Sequence, residues 1–252
     1  MLSVDLNCDL GEGYPDDADL MSLISSANIA CGLHAGSIDI MKRTTELALK
    51  NNIAIGAHPS FPDREHFGRI DLMESGFKLE ELYGILLQQV AQIAKICTEF
   101  GTRIRHVKPH GALYNRAARD PEVSYAICKA IAACDNSLLL YGLSGSEMEK
   151  QAAKLKIRFV NEAFADRTYC DDGSLTSRDE ASAMIEDINR VEARVEELLI
   201  KKVVTSRTGT QIPIKCETIC IHGDGPHALV FARSIRRTLE QNGIAINRPE
   251  PG

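Results

Sequence analysis

The stretch Val4-Asp5-Leu6-Asn7-Cys8-Asp9-Leu10-Gly11-Glu12-Gly13 alternates strictly between polar and apolar residues up to Leu10. Side chains along a strand point to opposite faces with a period of two, so Asp5, Asn7 and Asp9 share one face and Leu6, Cys8 and Leu10 the other. An acidic, amide-bearing face on a first strand is costly unless it is hydrogen-bonded or used. The glycines that follow suit a tight turn at the strand's C-terminal end.

Working outward, the pattern of a β-prone run ending in polar residues recurs at 28–31, 53–57, 104–108, 138–142, 157–163 and 217–221. Several of these runs are continuously apolar or small, as in parallel strands covered on both faces. Amphipathic helices lie between them, at 17–26, 37–51, 78–100, 120–134, from Ser146-x-x-Glu149 onward, at 179–201 and after Pro226. In 78–100, Leu79, Leu82, Leu86, Val90, Ile93 and Cys97 form one stripe, closed by Gly101. Asp120-Pro121 is an N-cap followed by a first-turn proline, and Ser146 with Glu149 reads as a capping box. Seven βα units imply a parallel α/β sheet in one domain spanning 1–252, closed into a barrel in the first reading and open and doubly wound in the second. Val203–Lys215, with Arg207-Thr208-Gly209-Thr210 at its centre, predicts a small hairpin appended to the sheet.

Composition narrows the function. A net charge of −6 argues against nucleic acid as the main partner. No apolar run is long enough to span a bilayer and no signal peptide is legible, so a cytoplasmic protein is expected. The eight cysteines contain no Cys-x-x-Cys pair and read as reduced, buried thiols, with a reactive thiol at Cys31 or Cys170 as the lesser alternative.

Sites in parallel α/β folds gather at the C-terminal ends of strands. There this sequence places Asp9, His34, His58, Lys108 and His110, arriving from four different strands. Asp and His supply acid/base chemistry near neutral pH, and a lysine held by carboxylates can polarise a carbonyl. Asn7, Asn28, Arg64, Tyr114 and Arg167 are the candidate substrate-binding residues, with Arg64 or Arg167 suited to a carboxylate. His106 and His222 are equally well read as structural hydrogen-bonders, and His66 as plain surface. Asp9, His34 and His58 also form a two-His, one-carboxylate set that could hold a divalent metal. There is no nucleophile elbow around Ser144, and no Gly-Lys pair of a phosphate-binding loop occurs, so any ATP binds here atypically or on another chain.

Six blocks in order carry a resemblance: Asp5–Glu12, Ser26–Gly36, Gly56–Arg64, His106–Asn115, Phe164–Arg167 and Ile221–Asp224. Over nearly its whole length the chain resembles the LamB/YcsF family. That resemblance implies an irregular seven-stranded β/α barrel of the glycoside hydrolase/deacetylase type. It also implies ATP-dependent opening of the lactam of 5-oxo-L-proline to L-glutamate, with ATP and Mg2+ bound mainly by two partner subunits, B and C. The alternatives are a metal-dependent deacetylase or carbohydrate-active hydrolase acting alone, and a non-catalytic regulatory subunit. The chain departs from the family pattern at Leu175-Thr176-Ser177-Arg178, where Leu-x-Pro-Arg is expected, and at Ser37, where Asp commonly follows the glycine.

Overall fold

The computed structural model describes residues 2–223, 225 and 227–250; the expectations placed on Asp224 and Pro226 lie outside these residues. Strands β1 (Ser3–Leu10), β2 (Ser26–Ala30), β3 (Ala54–His58), β4 (His106–Val107), β5 (Leu139–Leu143) and β6 (Phe159–Phe164) pair in sequence order. The hairpin strands β7 (Val203–Thr205) and β8 (Gln211–Pro213) pair antiparallel with each other, as the sequence predicts. Strand β9 (Thr218–Ile221) then pairs in parallel with both β6 and β1 and closes a seven-stranded barrel. This settles the choice between a closed and an open sheet. A short strand that the sequence does not suggest, β10 (Ala245–Ile246), adds to the first residues of β1.

The alternation in β1 sorts side chains as expected. Leu6, Cys8 and Leu10 join the apolar core between barrel and helices. Asp5, Asn7 and Asp9 enter the polar side. Register then builds a layer, because Asp9 pairs with Asn28, Asn28 with Gly56 and Gly56 with His106. Gly56 is glycine for a concrete reason: a Cβ there would collide with the His106 ring, far inside van der Waals contact. Deeper in the barrel, Asp5 accepts from Ser25, Ser26 and Thr218 hydroxyls at 2.6, 2.7 and 2.7 Å and so ties β1 to both neighbours.

Helices α1 (Asp17–Met21), α2 (Ile38–Lys50), α3 (Leu79–Glu99), α4 (Gly111–Arg119), α5 (Pro121–Cys134), α6 (Glu147–Lys154), α7 (Ile188–Glu196) and α8 (Ala228–Gln241) surround the barrel. The Asp120 carboxylate accepts from the Glu122 and Val123 amides, the N-cap the sequence predicts. Other expectations are corrected. The first helix ends at Met21, because Ser26 already pairs in β2. Ser146 occupies an N-cap, but its hydroxyl caps no amide. The helix expected over 179–201 starts only at Ile188, capped by Asp187, and ends in a π-helical turn at Glu197–Lys201. Before it, residues 166–185 fold as a loop closed by Arg167–Met184 and Tyr169–Leu175 bridges. Helix α4 has no counterpart in the sequence reading; it is short and opens on Gly111 at positive φ. No helix among the described residues is long and apolar enough to cross a membrane.

Candidate active site

Lys108 directly follows β4 and turns into the barrel, where only 2% of it is exposed. Its Nζ donates to Asp9 Oδ1 at 2.9 Å, Asn7 Oδ1 at 3.2 Å and Cys220 Sγ at 2.8 Å, and stands 3.1 Å from Glu162 Oε1. Burial opposes the ammonium, but the Asp9 and Glu162 carboxylates reverse that and raise the Lys108 pKa well above its ordinary value. Lys108 is therefore a fixed cation. Burial likewise works to raise the Asp9 pKa, yet His58 and Lys108 hold it well below the usual carboxylate range. The Cys220 thiol is pushed up by burial and stays neutral.

Amides lock this network. Asn28 Nδ2 donates to Asn7 Oδ1 at 2.7 Å and to Asp9 Oδ1 at 2.8 Å, and Asn7 Nδ2 donates to Glu162 Oε1 and Thr218 Oγ1, each at 2.8 Å. His106 Nε2 donates to Asn28 Oδ1 at 2.7 Å while its ring stacks on Tyr141. Burial lowers the His106 pKa to about 3, so this imidazole is neutral and acts as a brace. The Tyr114 phenol is fully buried, and burial with Glu162 nearby raises its pKa well above ordinary.

Beside this network lies a cluster of Glu12, His34, His58 and His110. Glu12 Oε1 is 3.2 Å from His34 Nε2, 3.5 Å from His110 Nδ1 and 3.9 Å from His58 Nε2. His58 Nε2 is also 3.4 Å from Asp9 Oδ2, which joins the two groups of residues. The His34 and His110 rings stack in parallel, 3.8 Å between centroids. Burial depresses both pKa values, that of His34 to about 2. Gly68, at positive φ, backs this pair: a Cβ there would lie 2.9 Å from the His110 ring. The three imidazoles are thus gathered around Glu12, and His58, one of the two histidines set with Asp9 in the sequence, also adjoins Asp9. A second group with metal-ligand spacing is Asp9, Cys220 and His222.

A cavity of about 230 Å3 opens next to Cys220 and His222, with Asp166 and Arg178 among its polar walls and Ile185 and Phe231 among its apolar ones. His222 pairs with Asp166 at 2.8 Å and stacks on Phe164. Burial works to raise the Asp166 pKa, but His222 brings it below its ordinary value.

Seven of the ten residues singled out in the sequence come together here: Asn7, Asp9, Asn28, His34, His58, Lys108 and His110. Tyr114 stands behind Glu162. The two arginines are engaged by backbone carbonyls. Arg64 donates to the Gly32 and Gly36 carbonyls, and Arg167 to the Ala183 and Thr176 carbonyls, so both hold loops. His66 is on the surface, paired with Asp63. Sequence reasoning missed Glu12, Glu162, Cys220 and Arg178 as site residues. Glu162 left a signal, an acidic residue inside the buried strand β6. Glu12 left less, because Gly11 at positive φ breaks the alternation just before it.

A closed parallel barrel that presents carboxylates, imidazoles and a buried lysine at the C-terminal strand ends is a β/α-barrel protein with an enzyme-type site. The LamB/YcsF family signature matches residues 4–251, and the chain belongs to the LamB/YcsF family. It is 46% identical over 256 residues to a Bacillus cereus protein named as the A subunit of 5-oxoprolinase, covering 99% of this chain and 100% of that one. It matches the crystal structure of the lactam utilization protein from Thermus thermophilus with a TM-score of 0.91 and 37% identity, covering 98% of this chain and 99% of that one. The peptidoglycan deacetylase PdaC from Bacillus subtilis shares the fold at a TM-score of 0.50 and 14% identity, over 98% of this chain and 87% of that one.

Proposed function

We propose that this chain is the A-type subunit of a cytoplasmic, ATP-dependent 5-oxoprolinase and opens the lactam of 5-oxo-L-proline to L-glutamate. The observation that carries the reading is the Asp9 carboxylate held between the Lys108 ammonium at 2.9 Å and the His58 imidazole at 3.4 Å. The near-complete match to relatives carrying that name supports it.

A five-membered lactam is a stable amide, and phosphorylating its oxygen with ATP makes its carbonyl carbon electrophilic. ATP and Mg2+ are assigned mainly to partner subunits B and C. On this chain, Asp9, positioned by His58, orients water and removes its proton. The water oxygen bonds to the carbonyl carbon, the ring C–N bond breaks as the nitrogen takes up a proton, and a second water then hydrolyses the acyl phosphate that remains, releasing inorganic phosphate and the glutamate carboxylate. Lys108 opposes the negative charge on the oxygens of the tetrahedral intermediate; one such donor is worth roughly 3 kcal/mol in the transition state. Asn7, Asn28 and Tyr114 fix this geometry, and His34 and His110 support His58. Arg178, on the cavity wall, joins Arg64 and Arg167 as a candidate partner for the substrate carboxylate.

The test is reconstitution. The chain, its B and C partners, ATP and 5-oxoproline together should yield glutamate, and omission of ATP or of any one component chain should abolish it. No glutamate from the full set contradicts the reading. Hydrolysis of an acetylated sugar by the chain alone would instead support the metal-dependent deacetylase, a reading favoured by the Glu12–imidazole cluster.

A further inference from the structure

The hydrogen bonds of His58 and His110 fix which ring nitrogens carry protons. His58 Nδ1 lies 2.7 Å from the Lys108 carbonyl oxygen, and His110 Nε2 lies 2.8 Å from the Phe67 carbonyl oxygen. A carbonyl only accepts, so each of these nitrogens is the N–H donor. The other two nitrogens, His58 Nε2 and His110 Nδ1, then face each other at 2.9 Å, in a buried place. Either a proton or a metal ion must lie between these two nitrogens, and the metal ion needs a nearby anion. The Glu12 carboxylate, 3.5 Å from His110 Nδ1 and 3.9 Å from His58 Nε2, supplies that charge.

We propose that Glu12 Oε1, His58 Nε2 and His110 Nδ1 form a binding site for one divalent transition-metal ion of the zinc class. Neutral imidazole and carboxylate are the ligand types such ions select. Bonds of about 2.0–2.1 Å in tetrahedral geometry separate neighbouring ligand atoms by roughly 3.4 Å. The separations here, 2.9, 3.5 and 3.9 Å, bracket that value. Both imidazoles are already oriented by carbonyl acceptors on their far nitrogens, the arrangement that fixes tautomer and ring direction in metal-ligating histidines. His34 is excluded as an equal ligand: its ring lies parallel to His110, 6° between planes, so the two rings cannot aim in-plane lone pairs at one point. It forms a wall, leaving a position open on the ion. Asp9 Oδ2, 3.4 Å from His58 Nε2, places this site at the edge of the Lys108 network. When bound, such an ion supplies Lewis acidity beside the lactam site.

The inference stands independently of the lactam-opening reading and is tested on the isolated chain without any assay of turnover. Metal-stripped protein is titrated with Zn2+ by calorimetry and with Co2+ by its visible ligand-field absorption. One ion per chain should bind, with an intense tetrahedral-type Co2+ spectrum and a raised melting temperature. Glu12→Gln and His110→Asn should each weaken binding by at least about 100-fold, more than loss of an outer-shell partner costs. Cys220→Ser, which removes a ligand atom of the other group with ligand spacing and none of this one, should leave it unchanged. Circular dichroism of the metal-free variants separates lost ligation from lost folding. Failure of the folded wild-type chain to bind either ion overturns the proposal, and so does binding that survives both ligand substitutions or disappears with Cys220→Ser.

Discussion

Lys108 Nζ and Asp9 Oδ1 lie 2.9 Å apart inside the barrel, with a second carboxylate, Glu162, 3.1 Å from the same ammonium. The lysine is thus the counter-ion for two buried acids. Removing one partner of a buried pair leaves an uncompensated charge, which costs about 3–5 kcal/mol. Lys108→Met should lose stability of that order in urea unfolding. Adding Asp9→Asn to it should recover part of the loss, because one stranded charge is removed. Additive losses in the double variant would contradict the pairing.

Gly56→Ala tests the layer that braces Asn28. A methyl group there collides with the His106 imidazole. The ring must move, and its hydrogen bond to Asn28 Oδ1 goes with it. Overpacking of this kind costs roughly 1–3 kcal/mol. The variant should unfold at lower urea and show a displaced His106 ring in the NMR spectrum. A methyl accepted with unchanged stability would mean that the layer is looser than described.

Acid stability should depend on Glu217, which accepts from Asn161 N and Nδ2 at 3.0 and 2.7 Å and from Arg158 at 2.7 Å. Burial works to raise its pKa, but these donors bring it down from 4.5 to about 2. A depressed carboxylate stabilises the fold fully above its unfolded pKa and loses that contribution as pH falls through the folded value. Glu217→Gln should therefore cost about 1–3 kcal/mol at neutral pH, and the gap to wild type should close between pH values of roughly 4.5 and 2. A gap that persists at the acid end contradicts this.

The thiols should be inert in the folded chain. Burial pushes Cys31 and Cys128 up to about 12 and Cys97 up to about 11. Because the thiolate is the reacting species, these three should label with a thiol reagent at mild alkaline pH only after unfolding. Fast native labelling of Cys31, one of the two reactive-thiol candidates in the sequence, would contradict its burial.

The barrel was legible because strong local signals agreed. The alternation from Asp5 to Leu10 places polar groups inward and apolar ones outward by strand geometry alone. The Asp120-Pro121 cap marked the start of α5. Residues adjoining strand ends, such as His58, Lys108 and His110, fell where parallel sheets concentrate chemistry. What stayed hidden depends on distance along the chain. Glu12 reaches the imidazoles only because the turn at Gly11 redirects the backbone. Arg167 looks like an anion binder in sequence, yet its guanidinium is bonded to the Thr176 and Ala183 carbonyls of its own loop. Helix α4 is too short, and too poor in initiating signals, to stand out from a loop.

The central claim is that the Asp9–Lys108–His58 group opens the lactam. The most direct measurement is the rate of glutamate formation from 5-oxoproline and ATP by the assembled subunits carrying Asp9→Asn in this chain, with folding checked by circular dichroism. Loss of a positioned acid–base group predicts a fall in kcat of about 100-fold or more. Wild-type turnover by a correctly folded Asp9→Asn assembly would contradict the account.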